Sequence, residues 1–357
     1  PADRTVIRNL ERQLCLLLGA KISTISSYCN SLVRKCADDL GIPPTYRVAD
    51  AAESDLLALS TMEHLINSTY DGDAENNLDA GDFAELVDCL TDTKSDVRLS
   101  ELLVGIYRKT QNTETGVASL SALVDLFRAG KETKIEDTPF FSLMRDRFCE
   151  TVLAHRDALS SALRGVAGDP KEEKNLPMYE AEIAHLSAVA DLSSYREIRE
   201  ALAFSFGRKH TVREKSAESA ALDAARKSCK DALEKIRTDF FSYEEADLPP
   251  LFENLSRRLR TLSDFLFRFD EVYREEKQRR AVCDFGDLER YAYEALWRHG
   301  ELTDFARAER ALYDFVYIDE YQDVSSLEDR IFDAVSKENN RFMVGDIKQS
   351  IYSFRSA

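Results

Sequence analysis

The stretch FVYIDEYQDV, residues 315–324, runs apolar from Phe315 to Ile318 and then turns abruptly polar at Asp319, Glu320, Gln322 and Asp323. A short apolar run closed by charge reads as a buried strand that leaves its sheet at the acids. The strand-like character reaches back to Leu312, and Arg341 to Val344 reads as a second strand. Between them, Ser325-Ser326-Leu327-Glu328 has the form of a capping box and predicts a helix to about Ser336. Strand, helix and strand joined by a short crossover make a βαβ unit, which requires a parallel sheet. Ligands of such sheets bind at the carboxyl ends of the strands. Here both ends are polar, Asp319-Glu320 after the first strand and Gly345-Asp346 after the second. Adjacent carboxylates suit a magnesium nucleotide: one holds the metal, usually through water, while its neighbour orients and deprotonates an attacking water. The same acids could equally form a solvated turn that caps the next helix.

The second strand continues as MVGDIKQSIYSFRSA, residues 343–357. Gly345 permits a tight backbone turn, and Gln349 is an uncharged group able to report a terminal phosphate. Tyr352 and Phe354 supply rings and Arg355 a planar cation. Rings beside a nucleotide pocket can stack on bases, at roughly 1–3 kcal/mol per base. Taken singly, Tyr352 and Phe354 read as core residues.

Upstream the pattern is different. Val6, Leu10, Leu14 and Leu17 recur at helical spacing before Gly19. Lys21 to Ile25 is β-like, and a second helix is expected from about Ser27 to Leu40, closed by Gly41 and Pro43-Pro44. From Asp50 to about Gln278 nearly everything reads as helix, with a polar stretch from Gly168 to Asn175 expected to be a mobile loop. Leu255, Leu259, Leu262, Leu266, Phe269 and Tyr273 give one long helix a single apolar seam. Its basic residues, Arg257, Arg258, Arg260, Arg274, Lys277, Arg279 and Arg280, could follow duplex phosphates or pair with acids. The expected fold is therefore α/β at both ends, with a partial parallel sheet, around a large all-α insertion, and predominantly helical overall.

With 357 residues and 44% hydrophobic content, the chain can bury a sizeable core. Its formal charge of −17 argues against polyanion binding by the whole surface, so a nucleic-acid site would be a local groove. The seven cysteines are scattered with no CxxC pair, which suggests buried thiols in a reducing, cytoplasmic setting. No stretch has membrane-spanning length and no leader is recognisable. The opening PADRTVIRNLERQL reads like a helix from mid-protein, so the chain is expected to be a segment of something longer.

IDEYQDVSSLEDRIF and FMVGDIKQSIYSFRSA together resemble motifs II and III of the UvrD/Rep group of superfamily 1 DNA helicases. AKISTISSYCNSLVRK (20–35) is similar to their motif Ib, and CDFGDLERYAYEAL (283–296) to the DF-x-DL helix that returns to the ATPase domain. Within the group, ISTISSYC, PTYRVAD (44–50) and VGDIKQSIYSFR most resemble the AddA (RexA) helicase-nuclease subunits that act on double-strand breaks. The resemblance implies a partial RecA-like domain 1A over residues 1–35 and 283–357 and a helical 1B insertion over 36–282. It implies ATP and Mg2+ as cofactors, with Asp319 on the metal, Glu320 activating water and Gln349 sensing the γ-phosphate. Thr24, Ser27 and Tyr28 would lie along single-stranded DNA, and Phe354, Tyr352 and Arg355 would stack on it or couple to it, with Gln322 also coupling. The resemblance further implies single-stranded and duplex DNA as partners, 3′-to-5′ movement, and a companion AddB (RexB)-type subunit.

The sequence departs from the group in three ways. It holds no phosphate loop GxxxxGK[ST]: the Gly130-Lys131 pair is followed by Glu132, and Asp125 stands where the first glycine belongs. The arginine-bearing motifs after motif III and any nuclease motif are missing, and Ser26 replaces the usual histidine of motif Ib. The chain by itself is thus expected neither to hydrolyse ATP nor to unwind DNA. Two other readings compete: a UvrD/PcrA-like helicase without a nuclease, and a non-catalytic helical module that grips DNA or a partner.

Overall fold

The computed structural model describes residues 4–17, 19–73, 78–91, 96–128, 133–212 and 215–346. The elements, in chain order, are α1 (Arg4–Leu17), α2 (Ile25–Cys36), β1 (Arg47–Val48), α3 (Ala51–Tyr70), α4 (Ala80–Leu90), α5 (Asp96–Gln111), α6 (Ser119–Leu126), α7 (Pro139–Gly165), α8 (Leu176–Ala190), α9 (Tyr195–Leu202), α10 (Ala217–Phe240) and α11 (Leu248–Arg279). There follow β2 (Val282–Cys283), α12 (Phe285–Leu296), β3 (Trp297–Arg298), β4 (Glu301–Leu302), α13 (Asp304–Leu312), β5 (Val316–Ile318), α14 (Ser326–Val335) and β6 (Arg341–Met343). The chain divides into two units, Pro1–Leu120 with Thr261–Ala357, and Ser121–Arg260.

In the first unit, β5 and β6 pair in parallel, with Val316 opposite Arg341 and Ile318 opposite Met343, and α14 is their crossover. The capping box is present as expected: Ser325 Oγ accepts from the Glu328 N–H, and Glu328 accepts from the Ser325 N–H. The strand is shorter than the sequence suggested, because Leu312 closes α13. It is also not buried throughout. Ile318 is enclosed, whereas Phe315 and Tyr317 are 67% and 72% exposed, since alternate residues of a strand point to opposite faces. Lys21 to Thr24 forms no strand either. Thr24 is extended but serves as the N-cap of α2, so its backbone leads into a helix. That helix ends at Cys36, earlier than expected, and Gly41 takes the left-handed conformation (φ +66°) in the turn after it.

Among the described residues two large cores hold this unit. Leu65, Phe83, Leu103, Phe265, Leu266 and Phe269 bring α3, α4, α5 and the C-terminal half of α11 together, and Phe83 stacks on Phe265 with ring centroids 4.4 Å apart. Burial of each such side chain contributes about 1.5–3 kcal/mol. The apolar seam of α11 is real from Leu262 to Tyr273, but Leu255 is exposed. A second core joins α2, α12, α13 and α14 through Leu32, Val33, Leu288, Leu296, Ile331 and Val335. An unexpected ladder, β1 with β2 in parallel, pairs Arg47 with Val282 and Val48 with Cys283. It joins the two ends of the helical stretch that starts at Asp50, and two residues per strand were too few to show alternation.

In the unit Ser121–Arg260, α7, α8 and α10 pack around Phe148, Val152, Tyr179, Leu186, Leu222 and Cys229. The stretch from Gly168 to Asn175 is pinned rather than loose. Glu172 is fully buried and accepts from Ser219 Oγ (2.5 Å), Lys209 Nζ (3.0 Å) and Asn175 Nδ2 (2.8 Å). A buried carboxylate needs those donors, and they fix the loop. Cys29, Cys36, Cys229 and Cys283 are buried thiols as expected, but Cys15 and Cys89 are exposed. Burial pushes the Cys229 thiol up to about 11. Among the described residues no helix is long and apolar enough to cross a membrane.

Candidate functional site

The acids sit where two parallel strands end together. Past Ile318 the chain turns sharply, with Glu320 in the left-handed conformation (φ +51°) and a single 3-10 turn over Tyr321–Asp323. That turn lies across the end of β6. Val344 N–H donates to Ile318 O (2.9 Å), and Tyr321 N–H donates to Val344 O (2.8 Å). The approach leaves no room at Gly345, where a Cβ would meet Gln322 Oε1 at 2.6 Å and Gln322 N at 3.0 Å. Gln322 bridges the two strand ends: its Oε1 accepts from Asp346 N–H (2.9 Å) and its Nε2 donates to Glu320 Oε2 (2.6 Å). Asp319 Oδ1 accepts from Glu320 N–H (3.0 Å), and both carboxylates are exposed.

The turn is anchored from beneath. Tyr321 donates its hydroxyl to Asp329 (2.7 Å), and Arg341 of β6 pairs with Asp329 (3.2 Å) and Asp333 (2.8 Å) on α14. Burial, with the Asp329 bond, raises the Tyr321 hydroxyl above its ordinary range. Oδ1 of Asp323 is buried without a hydrogen-bond partner. Asp319 and Glu320 fit a magnesium ion, which keeps several waters and takes one or two carboxylates plus phosphate oxygens. Among the described residues no cluster of three His, Cys, Asp or Glu could form an all-protein cage.

The start of α2 shares a small core with the acid turn, because Ile25 packs with Ile318, Tyr321, Val324 and Phe332. The Thr24 hydroxyl accepts from Ser27 N–H (3.3 Å) and donates to Ser27 Oγ (2.9 Å). Both residues are exposed at a helix N-terminus, where backbone N–H groups favour anions. Tyr28 is placed differently. Its hydroxyl is buried, its ring meets Tyr313 edge-on (6.3 Å), and burial drives its ionisation far above the ordinary value. Gln349, Tyr352, Phe354 and Arg355, together with Gly130 and Lys131, lie outside the described residues.

Several basic residues of α11 are matched by acids. Arg274 pairs with Asp270 (3.4 Å), while Arg279 and Arg280 both pair with Glu276 (2.7 and 2.6 Å). The Arg279 and Arg280 hydrogen bonds hold Glu276 down at about 2. Lys277 is buried against Asp284 (3.2 Å) and Asp287 (2.5 Å). Sequence reasoning missed the Tyr321–Asp329–Arg341 anchor and the packing of Ile25, both tertiary. The i to i+8 spacing of Tyr321 and Asp329 carried no local signal.

Residues 4–357 match the family model described as UvrD/REP helicase N-terminal domain. A Listeria monocytogenes protein described as an ATP-dependent helicase/nuclease subunit is 32% identical across 98% of this chain and 29% of its own length. Proteins of the same description from Geobacillus thermodenitrificans (30% identical, 100% of this chain, 30% of theirs) and Bacillus velezensis (29%, 98% and 29%) also match. The chain thus spans under a third of these relatives. Because the family match runs through nearly the whole chain and not through the two motifs alone, the chain belongs to the UvrD/REP helicase N-terminal domain family.

Proposed function

We propose that this chain is the part of a cytoplasmic ATP-dependent helicase/nuclease subunit that carries the acidic half of the ATP site and a first strip of DNA contacts. The whole protein would move along single-stranded DNA and open duplex in double-strand break repair, with an AddB-type partner. Residues 1–35 and 283–357 would belong to its RecA-like domain 1A, and 36–282 to its 1B insertion. The observation that carries this reading is the acid turn docked on Gly345, which sets Asp319 and Glu320 at the shared carboxyl end of β5 and β6.

In this reading Asp319 would hold the Mg2+ ion. MgATP, when bound, would supply the phosphoanhydride whose hydrolysis drives movement. Glu320 receives the proton of the attacking water, and the Gln322 amide, bonded to Glu320 Oε2, keeps that carboxylate turned toward the strand end. Gln349 senses the terminal phosphate. Thr24 and Ser27 lie along the DNA strand with Tyr28 beside them, while Phe354, supported by Tyr352, stacks on a base and Arg355 couples DNA to the nucleotide site. Shared packing through Ile25 supports coupling between the two sites. The 357 residues hold no phosphate loop, so alone they do not hydrolyse ATP. In the full-length gene product, Glu320→Gln lowers DNA-stimulated hydrolysis by about a hundred-fold or more while MgATP binding persists. Unchanged hydrolysis would refute the assignment.

A further inference from the structure

The unit Ser121–Arg260 contains a cavity of about 450 Å3 that the proposed reaction does not use. Its floor is aromatic: Phe127, Phe140 and Phe252 pack on one another with centroids 4.8, 5.6 and 5.4 Å apart. One wall is fixed by Tyr195, whose hydroxyl donates to Phe240 O (3.2 Å) and Tyr243 O (3.1 Å). The lip is apolar yet wet, with Phe240, Tyr243, Leu251 and Leu255 between 38% and 54% exposed. Exposed apolar residues gathered around a concave apolar site mark an interaction surface.

Charge identifies the occupant. From Asp239 to Glu253 the chain carries Asp239, Glu244, Glu245, Asp247 and Glu253 and no lysine or arginine. Glu244 is engaged by Arg199, whereas Glu245, Asp247 and Glu253 are exposed and lie within two positions of the lining residues Tyr243, Leu248 and Phe252. Among the described lining residues Asp239 and Arg258 are the only charged ones, so the acidic character comes from the flanking Glu244, Glu245, Asp247 and Glu253. An acidic rim repels nucleic-acid phosphates, and a net charge of −17 opposes a second copy. A small ligand inside the cavity would leave the lip uncovered. We propose that this cleft docks a basic amphipathic helical segment of a partner protein, whose large apolar side chains fill the cavity while its lysines and arginines face Glu245, Asp247 and Glu253. The proposal is independent of the nucleotide site.

The test uses the 357-residue chain and two fluorescein-labelled peptides of about 15 residues, long enough to reach marginal helicity. Both carry leucine and tryptophan at i, i+3, i+4 and i+7, one with a lysine/arginine polar face and one with a glutamate polar face. Fluorescence anisotropy should show saturable binding of the basic peptide alone. Leu251→Ser, at an exposed position, weakens it by about ten-fold. The double variant Glu245→Lys/Asp247→Lys shifts the preference toward the acidic peptide. Equal binding of both peptides, no saturable binding, or indifference to Leu251→Ser overturns the proposal. Sedimentation showing self-association that Leu251→Ser dissolves also overturns it, in favour of a second copy as occupant.

Discussion

Lys277→Met removes the ammonium that two largely buried carboxylates share at the junction of α11, β2 and α12. Lys277 is 5% exposed, with Nζ 3.2 Å from Asp284 and 2.5 Å from Asp287. Without it, Asp284 keeps the Tyr273 hydroxyl and the Asp287 N–H, and Asp287 keeps the Asp284 N–H. Those neutral donors do not balance two largely buried charges, so the loss is about 3 kcal/mol, the lower end for a broken buried pair. The deficit depends on pH. Burial pushes Asp287 up to about 6 even beside Lys277, while its carboxylate partners hold Lys277 above the ordinary lysine value against the opposing effect of burial. A carboxyl whose folded pKa lies above its unfolded value stabilises the fold while protonated, and that contribution is lost as pH rises through the folded pKa. Removing the ammonium raises Asp287 further, so the variant is weakest near pH 8 and recovers toward about pH 5. Trp297, the sole tryptophan, directly follows α12 and donates its indole N–H to Arg330 O (2.9 Å). Its fluorescence during urea unfolding therefore reports this unit. A loss under about 1 kcal/mol at pH 8, or one independent of pH, refutes the reasoning.

Gly345→Ala forces the acid turn off β6, at a cost of about 1–3 kcal/mol, and should abolish ATP hydrolysis by the full-length protein while far-ultraviolet circular dichroism stays unchanged. Arg290 is buried and donates to the carbonyls of Gln111, Thr113 and Glu114, so Arg290→Ala should cost on the order of 3 kcal/mol by the same tryptophan assay. Arg279→Glu with Arg280→Glu should leave DNA affinity within about two-fold, because both side chains are paired with Glu276; a large loss in a filter-binding titration would restore a DNA role to them.

Local chemistry made the βαβ unit legible. A capping box and two polar strand ends lie within residues 315–346, and each is written in residues that are near neighbours in sequence. The acid pair was found for the same reason. The β1–β2 ladder was not, since Arg47 and Val282 are 235 positions apart and each strand is two residues long. The pinned loop at Glu172 was misread because its partners, Lys209 and Ser219, come from distant segments.

The sequence alone determined the helical middle, the parallel strand pair, the capping of α14 and the placing of Asp319 and Glu320 at a strand end. Periodicity and capping act over three or four residues, and they are written locally. Only the tertiary structure decided which face of β5 is covered, which of several arginines and lysines are spent on acids, and that Ile25 shares a core with the acid turn. Burial and charge pairing depend on what arrives from elsewhere in the chain, and no window of sequence contains that.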